Sequence, residues 1–200
     1  AASDVYKRQH PTPFDTICLG GTITDSLSVT YTPGTGVGNV SYQWYQNNTN
    51  SSVGGTPVPG DTNSKFLPVT NTLPVGIYYY YVVVSFDGSS CDDVKSNIAQ
   101  INIIPDPILS IPSPDSIIEC QFSLSDTLLV RASGGVGTYQ FQWYSNSNNS
   151  NTGGSLIAGA NDSIYIPQDT AVGITYYYCI VTQIGGQGCE DTSATAFVQI

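Results

Sequence analysis

Methionine is absent from the 200 residues, histidine occurs once, and only 5 residues are Lys or Arg. Each scarcity excludes something. With His10 as the sole imidazole, neither a Ser–His–Asp triad nor a histidine metal cluster can be assembled from this chain. No two cysteines have the short spacing of a zinc site. Set against 15 acidic residues, the few bases leave a net charge of −10. A surface this acidic repels nucleic acid and anionic lipid, so no nucleic-acid partner is expected. No apolar run reaches the length of a membrane span, and direct membrane insertion is not expected. The missing methionine places the native start upstream, where any signal peptide would also lie.

Positive signs of chemistry are also scarce. No carboxylate pair stands out as a glycosidase acid and base. Gly34, Gly36 and Gly38, like Gly134, Gly135 and Gly137, lie between predicted strands and open no helix, so they read as turn glycines, not a phosphate loop. The acidic pairs Asp92-Asp93 and Glu190-Asp191 follow a cysteine and could offer oxygen ligands to calcium, although such loop pairs are ordinarily just solvated. The expectation is a chain with no catalytic residues, no cofactor and no metal site.

What is present is a repeat. Tyr42-Gln43-Trp44-Tyr45 returns as Phe141-Gln142-Trp143-Tyr144, and Gly54-Gly55 as Gly153-Gly154. Val75-Gly76-Ile77 with its tyrosine run returns as Val172-Gly173-Ile174, and Cys91-Asp92-Asp93 as Cys189-Glu190-Asp191. The tryptophans are 99 positions apart, as are the glycine pairs. One offset shared by so many landmarks marks two homologous units.

Short β-branched and aromatic runs separated by Gly, Asn and Pro predict strands throughout, near 26–31, 39–46, 77–86 and 94–103, and again near 127–132, 138–145, 174–184 and 192–200. No segment has helical periodicity. The chain is read as all-β, with one β-sandwich over 10–104 and a second over 116–200. Between them, 105–115 holds four prolines in ten residues and reads as a stiff, extended linker. Residues 1–9 are set apart: Asp4-Val5-Tyr6-Lys7-Arg8-Gln9 resembles a translated sequencing adapter, which marks a fragment of environmental DNA.

Alternation assigns faces. Trp44, Tyr80, Val82 and Val84 are expected in the core of the first unit, and Trp143, Tyr177, Cys179 and Val181 in that of the second. Tyr45, Tyr79, Tyr81, Tyr144, Tyr176 and Tyr178 would then face outward, as aromatic strips able to stack on sugar rings, or as cross-strand pairs that merely stabilise the sheet. The cysteines sort by repeat, and their simplest pairing is Cys18–Cys91 and Cys120–Cys189, one bridge per unit. Each would close a long loop, contributing about 4 kcal/mol in the chain-entropy model. Two bridges imply an oxidising compartment. Cys179 remains, at the position of Val82, and is expected as a buried free thiol.

A tyrosine two residues before a buried strand position, and a buried tryptophan on the third strand, fit an immunoglobulin-like sandwich. Cys18-Leu19-Gly20-Gly21, Tyr42-Gln43-Trp44-Tyr45, the Asn/Ser run before Gly54-Gly55 and the Tyr/Val strand before Cys91 resemble the immunoglobulin-like repeats of Bacteroidetes cell-surface proteins. The resemblance covers nearly all of 14–200. It implies a structural or adhesive repeat of a secreted, gliding-type adhesin exported by the type IX system. Its partners would be neighbouring repeats and an extracellular glycan or protein. Related repeats also flank secreted polysaccharide-degrading enzymes, which gives the alternative of a carbohydrate-binding or spacer module. The same resemblance suggests O-glycosylation at Asp–Ser/Thr–apolar triplets, with acceptors Thr16, Ser26, Ser116, Thr127, Ser163 and Thr170. Composition alone would give roughly one such triplet, though Asp–Ser/Thr before an apolar residue is also an ordinary way to enter a strand.

Overall fold

The structure, a computed structural model, describes residues 7–8, 14–30, 39–87 and 92–200, with backbone only at 7, 8, 14 and 15. The chain divides into two compact units, Ala1–Ile104 and Pro105–Ile200. No helix among the described residues is long and apolar enough to cross a membrane.

In the first unit the larger sheet runs Phe14–Cys18, Ala99–Ile104, Gly76–Phe86, Val40–Asn47, Thr56–Pro57, with Val94–Lys95 also paired to Gly76–Phe86. A smaller sheet holds Lys7–Arg8, Leu27–Val29 and Lys65–Phe66. The second unit repeats the larger sheet as Ser116–Ile118, Ala196–Gln199, Ile174–Ile184, Thr138–Asn146, Ser155–Leu156, with Glu190–Thr192 beside Ile174–Ile184. Opposite lie the pairs Leu128–Leu129 with Ile164–Tyr165 and Pro107–Leu109 with Ala132–Gly134. In each unit the first strand of the larger sheet runs parallel to the last, and the other pairings are antiparallel. The architecture is all-β, two immunoglobulin-like sandwiches in tandem.

The cores follow from alternation. Trp44 lies opposite Val82, and Trp143 opposite Cys179. Trp44, Tyr80, Val82, Val84, Ile101 and Ile103 pack together in one unit; Trp143, Tyr177, Cys179, Val181 and Val198 do so in the other. Phe66 tilts against Trp44 and Tyr80, at 5.3 and 5.5 Å between ring centroids, and Tyr165 takes its place against Trp143 and Tyr177. Truncating a tryptophan buried in this way typically costs about 3–5 kcal/mol.

The proline-rich stretch is not a free linker. Pro107–Leu109 forms an antiparallel strand on Ala132–Gly134, Ser113 bridges to Leu129, and Leu109 joins the second core. A proline cannot donate to a ladder, but an edge strand needs donors on one side only. The spacing of prolines that reads as a stiff spacer therefore also suits a sheet edge.

Candidate functional site

The tyrosine face is where aromatic strips were expected. Tyr45 lies opposite Tyr81 and stacks on it, with ring centroids 5.1 Å apart and an interplanar angle of 6°. Tyr144 and Tyr178 repeat this at 5.1 Å and 7°. Tyr81 and Tyr178 are not outward contacts, however; they are 3% and 2% exposed. Alternation places them on the outer face correctly, but that face is covered.

The cover is the hairpin that carries each glycine pair. A Cβ on Gly55 would sit 2.9 Å from Tyr81 Cε1 and from Gln46 O; one on Gly154 would sit 2.8 Å from Tyr178 Cε1 and 2.7 Å from Ser145 O. Gly154 N–H also donates to Tyr178 Oη at 3.1 Å. The preceding Gly54 and Gly153 take φ of +78° and +72°, a region that L residues disfavour. One glycine of each pair thus turns the chain, and the next lets it lie flat on a ring. Asn47 and Asn146 brace the same hairpins: their Nδ2 groups donate to Ser51 O and Val53 O, and to Ser150 O and Thr152 O. Tyr79 and Tyr176 remain half-buried on this face, with Phe197 edge-on to Tyr176.

Other polar side chains serve the same frame. Gln43 Nε2 donates to Trp44 O and Val58 O, both at 2.9 Å; Gln142 Nε2 donates to Trp143 O at 2.9 Å and Ile157 O at 2.8 Å. Each indole N–H donates to a carbonyl, Trp44 to Asn63 and Trp143 to Asp162. Ser96 and Ser193 hydroxyls accept from Val82 and Cys179 N–H at 2.9 Å and donate onward to Asn97 O and Ala194 O. The Gln is visible in the repeated sequence, but its role is not. The serines lie in a stretch with no obvious motif.

The expected bridge Cys120–Cys189 is not formed. Cys120 is a free, exposed thiol, whereas Cys189 is buried and disulfide-bonded. The register explains why. Glu119 N–H bonds Gln199 O, and Gln199 lies opposite Ile174, at one end of the tyrosine strand. Cys189 O accepts from Gln183 N, at the other end. Nine residues of strand span about 30 Å, far beyond the Cα separation of about 7 Å that a disulfide tolerates. Cys18 is disulfide-bonded and Cys91 lies outside the described residues; with Cys189 bonded and Cys120 and Cys179 free, the five cysteines do not form the expected one bridge per unit. Disulfide bonding belongs to chains that fold in oxidising, extracellular-type compartments. Cys179 is a free, fully buried thiol with its pKa pushed up to about 12 by burial, so it behaves as an apolar filler.

Five of the six triplet hydroxyls lie at strand entries or within a strand, and Thr170 lies in a bend before Ile174–Ile184. Ser26, Ser116, Thr127 and Thr170 are exposed; Thr16 and Ser163 are half-buried, and Ser163 Oγ donates to Asp162 Oδ1. In the second unit, Asp191 Oδ2 accepts from Leu109 N–H at 2.6 Å, and nearby Asp106 has a buried Oδ1 without a partner. Burial chiefly, with Asp191 and Glu190 adding repulsion, raises the Asp106 pKa. Among the described residues no group of three or more His, Cys, Asp or Glu is arranged to hold a metal ion. His10 lies outside the described residues.

No family model matches the chain, and no curated protein matches it. Among solved structures it is similar to the fibronectin(III)-like modules of Clostridium thermocellum CbhA, at 13% identity and a TM-score of 0.44, covering 99% of this chain and 92% of that one. It is also similar to Sidekick-1 immunoglobulin domains 1–5, at 17% identity and a TM-score of 0.44, where it spans 39% of that chain. A third likeness is to Drosophila N-cadherin EC1-3, at 12% identity and a TM-score of 0.35.

Proposed function

We propose that the chain is a non-catalytic structural and adhesive repeat of a secreted or surface-anchored multi-domain bacterial protein. Its sandwiches space out other domains and add weak contacts that gain strength by multiplicity. The observation that carries this reading is the repetition of one hydrogen-bonded frame in both units: Gln on the two carbonyls, indole on a carbonyl, Ser on the opposite strand, Gly on a tyrosine ring. Polar side chains that would converge on a pocket in an enzyme are here distributed along the sandwich. Export by the type IX route and glycosylation at the six triplets belong to the same proposal, through the resemblance to Bacteroidetes surface repeats.

Biotinylated chain, free or loaded on streptavidin, tests it by retention on immobilised extracellular polysaccharide and surface protein. An adhesive repeat is retained as the tetramer at least about a hundredfold better than as the monomer. Polysaccharide hydrolysis by the chain would overturn the reading. A second reading, a carbohydrate-binding accessory module, draws on the matched, half-buried Tyr79 and Tyr176. It requires monomeric retention on one polysaccharide that Tyr79→Ala with Tyr176→Ala abolishes.

A further inference from the structure

The units part company on the outer face of the smaller sheets. Ser28 opposes Lys65 in the first unit; at the same cross-strand position in the second, Leu129 opposes Ile164. Ile164 is 50% exposed, Ile166, two residues along, 62%, and Ile108 65%. A lysine at a sheet edge deters foreign strands; the second unit carries isoleucine there.

Beside this patch opens a groove of about 690 Å³, lined by Ile108, Leu129, Arg131, Ala132, Tyr139 and Phe141 among others. Strand edges border it. Trp143 turns its N–H and C=O away from the tyrosine strand, towards Ala160 O and Ile157 N. Two-residue alternation turns those of Phe141 and Tyr139 the same way. Ser155–Leu156, the next strand out, reaches only Ser145 and Tyr144. Ala132 is left likewise, because Arg131 bonds Ser110 on one side while Ile164–Tyr165 reaches only Leu129 and Leu128 on the other. Among the described residues no strand pairs with these main-chain groups.

Arg131 is the sole basic residue of 105–200, among eight acidic ones. It is exposed; its main-chain N–H bonds Ser110 Oγ, and its guanidinium has no partner among the described residues.

We propose that this side of the second unit binds an extended, acidic polypeptide strand from another protein. Its main chain pairs with the Tyr139–Phe141 edge, its apolar side chains cover the isoleucine patch, and a carboxylate meets Arg131. Open main-chain donors and acceptors suit a peptide better than a sugar. A second copy meeting this face about a two-fold axis would set Arg131 against Arg131, with no carboxylate supplied to either. The proposal goes beyond the structural and adhesive reading and does not depend on it.

The test is fluorescence anisotropy with the full chain and a labelled acetyl-Thr-Val-Glu-Val-Thr-Val amide, its Lys-for-Glu twin, and a twin N-methylated at alternate amides. The Glu peptide binds saturably, the Lys twin at least about tenfold more weakly, and the N-methylated twin not at all. Arg131→Glu, an exposed change checked by circular dichroism, reverses the Glu/Lys preference. Equal binding of both peptides, binding that survives N-methylation, or no binding at millimolar peptide would overturn the proposal. So would retention on a polyuronate gel that Arg131→Glu abolishes, which assigns the groove to acidic sugar. A dimer in sedimentation that Arg131→Glu dissociates would assign it to a second copy.

Discussion

Replacing Gly154 by alanine separates two reasons for keeping a glycine. Its φ is not in the left-handed region, so the added methyl costs nothing in backbone preference. What it meets is matter: Ser145 O at 2.7 Å and Tyr178 Cε1 at 2.8 Å. The carbonyl belongs to a ladder strand and cannot swing aside, and Tyr178 is held by its stack on Tyr144. The hairpin must lift, which weakens the Gly154 N–H bond to Tyr178 Oη and lets water reach the ring. Overpacking of this kind costs about 1–3 kcal/mol, and the weakened hydrogen bond about 1 kcal/mol more. Gly153→Ala is the control: nothing lies within 4 Å of its Cβ, but φ is +72°, so the cost is conformational, about 1 kcal/mol. Urea unfolding followed by tryptophan fluorescence measures both, with the unaltered unit and its own tryptophan as internal reference. Gly154→Ala should lower the midpoint of the second unit more than Gly153→Ala does, at unchanged m-value. A Gly154→Ala variant within about 0.5 kcal/mol of the parent would refute the packing argument.

Three further outcomes are expected. Gln142→Leu strips the donor from two strand carbonyls, costing about 1–3 kcal/mol in the same urea assay, and Gln43→Leu should match it in the first unit. Cys179→Val should be nearly neutral, because Val82 fills the equivalent position, while Cys179→Ser should cost more; in the parent, thiol labelling with mass mapping should modify Cys120 at once and Cys179 only on unfolding. Asp106 has a pKa raised by burial and by Asp191 and Glu190, so it contributes stability below its unfolded pKa and loses it as pH rises through the folded value. Asp106→Asn should therefore stabilise at neutral pH and lose that advantage in acid, as thermal unfolding across pH would register.

Much of this fold could be read from the chain. Trp44 and Trp143, and the alternating Tyr, Val and Cys opposite them, announce their strands and their core faces through period-two patterning, a local property. Alternation says which face a side chain takes but not whether that face is covered. For that reason Tyr81 and Tyr178 look like surface tyrosines until the Gly54-Gly55 and Gly153-Gly154 hairpins are folded over them. Cys120 and Cys189 pair readily on paper because sequence spacing carries no information on which end of an eleven-residue strand each one reaches. Pro107 to Pro114 resemble a spacer because a proline's fixed φ suits an extended linker and an edge strand equally.

Neighbouring modules of near-identical register run a hazard on folding, since a strand from one can dock in the vacant slot of the next. The strand that opens the second unit is poorly equipped for such an exchange. Pro107 has no amide hydrogen to offer, and Pro112 and Pro114 interrupt the run beyond it. The segment can close its own sandwich yet makes a poor seed for propagating one β-ladder through a string of modules, a safeguard against misassembly written into the same residues that join one module to the next.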